Sequence, residues 1–164
     1  MDEEQAKTLN LVRQILGQWR GNGTIKFPTI PTMEYRDEIE FAADETHPFL
    51  RYEQRTWKKV ETGEFVPSHW ETGFWRVLPS GEIEILNAQG GGRVEVLLGD
   101  LESRRDGFVL NLRSLVVAND ARMDKTARQF ILQDSTLQYT MQMSTTSVPT
   151  MTVHVLASLT KNNP

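Results

Sequence analysis

Three histidines and no cysteine limit the metal and nucleophile chemistry open to this 164-residue chain. Without cysteine there is no disulfide, no thiolate metal site, no iron–sulfur cluster and no thiol nucleophile. His47, His69 and His154 are too scattered to spell a zinc site by spacing. His69-Trp70-Glu71 reproduces the His-x-Glu of zinc deaminases, but the cysteines that complete that site are lacking. Glu40, Glu53, Glu71 and Glu95 lie in strand-like segments where a glycosidase-type carboxylate pair would need them. Their spacing supports no such pair, and the ordinary expectation for strand glutamates is a solvated surface. Gly21-Asn22-Gly23 lacks the third glycine and the βαβ surroundings of a dinucleotide site, and no Walker lysine or Gly-x-Ser-x-Gly elbow occurs.

The elements around these residues read clearly. Leu9, Val12, Ile15 and Leu16 recur at spacings of three and four, which predicts an amphipathic helix over 4–16, with Gly17 as its stop. From Trp19 onward β-branched residues and two-residue alternation take over. Strands are predicted at 18–26, 34–42, 49–58, 66–78, 82–88, 92–99, 107–117, 125–133, 137–144 and 151–160. Turn chemistry separates them, as at Glu61-Thr62-Gly63, Pro79-Ser80-Gly81, Gly90-Gly91-Gly92, Arg105-Asp106-Gly107 and Gln133-Asp134-Ser135. Short links favour antiparallel neighbours, and closing about ten strands into a barrel removes two long exposed edges. The expected fold is all-β: an antiparallel barrel of lipocalin or fatty-acid-binding-protein type, with one short helix over an end. Trp19, Trp57, Trp70 and Trp75 are expected in its core or wall. Residues 161–164 read as a frayed tail.

No repeat or composition break divides the chain, so one domain over 1–164 is expected. Hydrophobic residues at 38% and charged residues at 24% match a soluble globular protein, and a mean hydropathy of −0.44 argues against a membrane protein. A net charge of −4, with no basic run longer than a pair, offers no footprint for nucleic acid. The acidic Met-Asp-Glu-Glu-Gln start is unlike a signal peptide, which points to the cytoplasm.

The sharpest local pattern is Gly17-Gln18-Trp19-Arg20-Gly21-Asn22-Gly23. Gly17 turns the chain, Trp19 fills the barrel end, and Gly21 and Gly23 let a bent strand pass close to its neighbours. With Phe27-Pro-Thr-Ile30, Glu38-Ile-Glu-Phe41, Tyr52-Glu-Gln-Arg-Thr-Trp57, His69-Trp-Glu-Thr-Gly73, Val94-Glu-Val96, Met143-Ser-Thr-Thr146 and His154, in order and register, the chain resembles the nitrobindin family. Those are small ten-stranded barrels that hold haem b.

The resemblance implies ferric haem, nitric oxide binding and isomerisation of peroxynitrite to nitrate. It implies iron ligation by His154, with one extra residue in the 147–153 loop, a haem contact at Thr29, and pocket positions at Met143 and His69. Ser68 stands where the family has a methionine, which puts the side opposite the ligand in doubt. His47, before Pro48 in a turn-like stretch, is a poor place for a rigid axial ligand, so His69 is the competitor of His154. The residues themselves are less generous. Met151, Val153, Val155, Ala157 and Leu159 form one face of the last strand, and parity turns His154 away from it. A lone strand histidine is ordinarily a surface residue or a satisfied pocket edge. Arg93, just after the triple glycine, would reach a haem propionate or water. Two functions therefore stand side by side: a haem protein acting on small reactive nitrogen or oxygen species, and a carrier of a fatty acid or similar apolar molecule.

Overall fold

The computed structural model describes residues 1–162. Asp2 caps α1 (Glu3–Val12), its side chain accepting from the Gln5 backbone N–H at 2.9 Å, with Glu3 and Glu4 in the positive first turn. One 3-10 turn, Arg13–Ile15, leads into the sheet. Ten strands follow: β1 Gly17–Phe27, β2 Ile30–Ala42, β3 Phe49–Lys59, β4 Phe65–Val77, β5 Ile83–Gln89, β6 Val94–Arg104, β7 Gly107–Ala118, β8 Met123–Gln133, β9 Thr136–Thr145 and β10 Thr152–Lys161. Each pairs antiparallel with its sequence neighbours, and β1 pairs with β10 to close the barrel. No helix among the described residues is long and apolar enough to cross a membrane.

The helix closes one end. Leu9, Val12 and Ile15 are buried in the same core cluster as Trp19, Val77, Ile83, Phe108, Leu137 and Leu159. The Trp19 indole donates to the Ile15 carbonyl at 2.7 Å, and the Gln5 amide donates to the Val77 carbonyl at 2.7 Å, so the plug is hydrogen-bonded as well as packed. The glycines of β1 do what close approach demands. A Cβ on Gly21 would lie 2.0 Å from the Ser158 carbonyl oxygen, and one on Gly23 would lie 2.4 Å from the Tyr35 ring.

Several expectations need correction. Trp70 is a wall residue rather than a core one, 52% exposed on the outer face of β4 with its ring covered by the Arg55 guanidinium at 4.0 Å. Trp57 is half-buried, whereas Trp19 and Trp75 are fully buried. Lys161 is the last residue of β10, paired with Trp19, and the Asn162 N–H donates to the Gln18 carbonyl, so the chain is ordered to that point. Residues 163–164 of the expected frayed tail lie outside the described residues. Glu40 and Glu53 face outward beside Arg51 and Arg55 as expected, but Glu71 and Glu95 are buried inside the barrel.

Candidate functional site

The interior changes character halfway along the barrel. Arg128 on β8 reaches across the lumen, donating to Glu71 of β4 at 2.6 and 3.3 Å and to Glu95 of β6. Tyr52 donates to Glu71 at 2.8 Å, while Thr126, Asn87 and Gln89 donate to Glu95 at 2.9, 3.2 and 3.1 Å. Burial would raise the Glu71 carboxyl, but the Arg128 charge and the His69 contact outweigh it and hold the group well below the carboxylate range. Glu95 is lowered by the same contest, with Arg128 and Arg93 prevailing over burial. This layer is ionised and buried, and among the described residues only the Arg128 Nε–H in it is left without a partner. Its members share the phase of apolar neighbours: Glu71 with Trp75 and Val77, Glu95 with Leu97, Arg128 with Phe130 and Leu132. That in-phase placement was the available sequence signal for them.

Above this layer the barrel opens into two adjoining cavities. The first, about 350 Å³, is lined among others by Tyr35, Gln54, Ser68, His69, Met141 and His154. The second, about 330 Å³, is lined by Phe27, Thr29, Met123, Met143, Thr145 and His154 among others. His154, Ile30 and Arg93 border both. Thr29 and Met143 thus share one lobe and His69 lies in the other.

The two histidines reach the cavity differently, although a bulge lies at each. In β10 the pairing with β9 runs Thr152↔Met143, Val153↔Gln142, then Val155↔Met141, so His154 is an inserted residue. Thr152 shares the inward face with buried Met143 before the bulge, and Val155 shares it with Met141 after it. Parity therefore fails at this residue, and His154 enters the cavity from a strand whose alternation points it outward. In β4, His69 pairs with Thr56 in regular register and faces inward in phase with Glu71 and Trp75, while Trp57 pairs with Pro67, so Ser68 is the extra residue that joins His69 on the cavity wall.

Their chemistry differs. The His154 Nδ1 lies 3.0 Å from the Lys26 carbonyl oxygen. A carbonyl only accepts, so Nδ1 carries the proton and Nε2 keeps the lone pair. Phe27 packs edge-on against the ring at 5.7 Å. Burial lowers the His154 pKa below its ordinary 6.5 despite the carbonyl contact, favouring the neutral ring that a metal requires. His69 instead holds Nε2 at 2.9 Å from Glu71 Oε2, so that nitrogen is occupied as a donor to an ionised carboxylate. Asp37, buried deeper, accepts from Tyr35 at 3.0 Å and from the Gln54 amide at 2.9 Å. Burial, only partly offset by those donors, lifts it to about 7.

A closed ten-stranded barrel with a histidine-bearing cavity is the architecture of small haem-binding barrels, and the comparisons agree. Residues 8–161 match the family model described as THAP4-like, heme-binding beta-barrel domain. The chain belongs to this family, the nitrobindins. It is 40% identical over 147 residues to a peroxynitrite isomerase of Arabidopsis thaliana, covering 90% of this chain and 84% of that protein. It is 35% identical over 154 residues to a peroxynitrite isomerase of Streptomyces griseus, covering 91% and 80%. The crystal structure of Rv2717c from M. tuberculosis superposes with a TM-score of 0.86 at 28% identity, covering 95% of this chain and 98% of that one. An S-type phycobiliprotein lyase from Guillardia theta shares the fold at a TM-score of 0.62 and 10% identity.

Proposed function

We propose that the paired cavities hold haem b in the ferric state, with His154 Nε2 as the one protein ligand, and that the loaded protein binds nitric oxide and isomerises peroxynitrite to nitrate. The observation that carries this reading is the Lys26-to-His154 contact, which assigns the tautomer and leaves Nε2 as a ligand nitrogen on the cavity wall. Among the described residues no group of three or more His, Asp or Glu side chains is placed to hold a bare metal ion. A single imidazole suits an iron whose other equatorial ligands come with a macrocycle. The named peroxynitrite isomerases to which the chain is similar support the same reaction.

When bound, haem would supply an iron centre able to act on peroxynitrite, whose conversion to nitrate is an isomerisation with no net change of electrons or protons. The chain supplies the rest. Lys26 orients the His154 ring, Phe27 packs on it, and Met143 and Met123 offer apolar, polarisable surface in the second lobe. Glu71, fixed by Arg128 and Tyr52, engages the His69 Nε2. That contact occupies the His69 Nε2 as a donor, which leaves Nδ1 as the one nitrogen through which His69 would compete for iron, and holds the ring as a polar group in the first lobe. Thr29 adds a hydroxyl to the second lobe, and Ser68 widens the first where a longer side chain would fill it.

The test is a haemin titration of wild type, His154→Ala and His69→Ala, followed by ferric absorption spectra. We expect a saturable Soret band in wild type and His69→Ala that His154→Ala loses. Loss only in His69→Ala would move the ligand to His69. Retention in both would mean adventitious binding and favour the carrier of apolar molecules. Stopped-flow decay of peroxynitrite, with nitrate as product, then decides the activity: it should require both haem and His154.

A further inference from the structure

Arg93 is the least satisfied charged group at the site. It follows the Gly90–Gly92 turn between β5 and β6, with its carbonyl accepting from the Gln89 N–H at 2.9 Å. Its side chain is only 16% exposed, yet its Nε–H is buried with no hydrogen-bond partner among the described residues. The two nearest carboxylates stop short: Glu95 lies 3.7 Å away and Asp120 3.6 Å away. Both are committed elsewhere. Asp120 accepts from Arg122 at 3.1 and 3.3 Å, and the two Glu95 oxygens accept from Thr126, Asn87, Gln89 and Arg128. A mostly buried guanidinium with idle donors is costly unless something occupies its planar fork. Arg93 also borders both lobes, as His154 does, so an occupant would sit at their junction.

We propose that Arg93 is the receptor for an oxyanion group at the junction of the two lobes, taking a carboxylate of a bound tetrapyrrole or a free oxyanion such as nitrate. Planar three-atom oxyanions match the fork in bidentate fashion, which a neutral apolar ligand cannot do. The carboxylate source rests on the haem reading above, whereas the free-oxyanion source does not. Three probes separate the possibilities: haemin, haemin dimethyl ester, and sodium nitrate on the haem-free protein followed by the NMR shift of the Arg93 Nε–H. They are applied to wild type, Arg93→Gln and Arg93→Lys, each checked for its thermal midpoint. If a carboxylate is the occupant, Arg93→Gln weakens haemin about tenfold or more and leaves the dimethyl ester unchanged, while Arg93→Lys loses less. If a free oxyanion is the occupant, nitrate saturably shifts the wild-type Nε–H and haemin affinity does not change. Unchanged haemin affinity together with no nitrate response overturns the proposal. A wild type that forms no Soret band would sink the haem reading, and the nitrate measurement would still decide Arg93 without needing a variant to fold.

Discussion

At the helix end Trp19, Ile83, Phe108 and Leu137 are fully buried and the strands run in unbroken register, whereas at the open end the same strands finish in Thr29, Ser68, His69 and His154 around a cavity. The register shifts tell the two ends apart. They fall at Ile25/Phe27, Thr56/Trp57, Val96/Leu97, Met123/Lys125 and Val153/Val155, all in the open half. Regular alternation sorts apolar from polar side chains and suits a plug. A bulge re-aims one residue against the alternation, which is how a polar group can be delivered to an interior. Between the ends, the Glu71–Arg128–Glu95 layer separates the apolar core from the cavity.

This contrast can be broken in graded steps. Arg128→Ala strands two buried carboxylates and should cost about 5 kcal/mol in urea unfolding, since removing one partner of a buried pair leaves uncompensated charge. A loss under 1 kcal/mol would mean water already reaches the layer. Trp19→Ala, at the plug, should cost about 4 kcal/mol through lost packing and an orphaned Ile15 carbonyl, with haemin stoichiometry intact. Unfolding within about 0.5 kcal/mol of wild type would show that the plug does not depend on the indole.

Asp37 gives the next effect, and its sign is opposite to the usual carboxylate. Its folded-state pKa of about 7 exceeds its ordinary value of 3.8, so the folded chain binds the extra proton. Asp37 should therefore make stability fall as pH rises from about 4 to 7, by up to about 1.4 kcal/mol per pH unit. Glu71, held low, contributes the reverse: stability present above its ordinary 4.5 and lost on acidification below it. Asp37→Asn should flatten the decline between pH 4 and 7 in chemical denaturation curves; an unchanged slope would place the titrating group elsewhere. Smallest is Thr29→Ala, at an exposed rim position, which should leave stability within about 0.5 kcal/mol while lowering haemin affinity. The converse pattern would make Thr29 a structural residue.

The sequence by itself determined the barrel. Two-residue alternation and turn residues placed all ten strands, missing most at the start of β2, expected at 34 and found at Ile30, and at the end of β6, expected at 99 and found at Arg104; the turns were legible because Asp106-Gly107 and Asp134-Ser135 depend on local geometry. It also brought Thr29, His69, Met143 and His154 forward, though by resemblance rather than by parity. Tertiary structure decided the rest, because it alone joins residues far apart in the chain. Glu71, Glu95 and Arg128 look like solvated strand charges until closure of the barrel sets β4, β6 and β8 around one lumen and makes their mutual pairing stronger than hydration. His154 likewise faces the wrong way when counted by twos from Val155, Ala157 and Leu159. Only the offset between β9 and β10 inserts it as a bulge, and only the return of β1 beside β10 brings the Lys26 carbonyl to its Nδ1 and fixes which ring nitrogen keeps its lone pair.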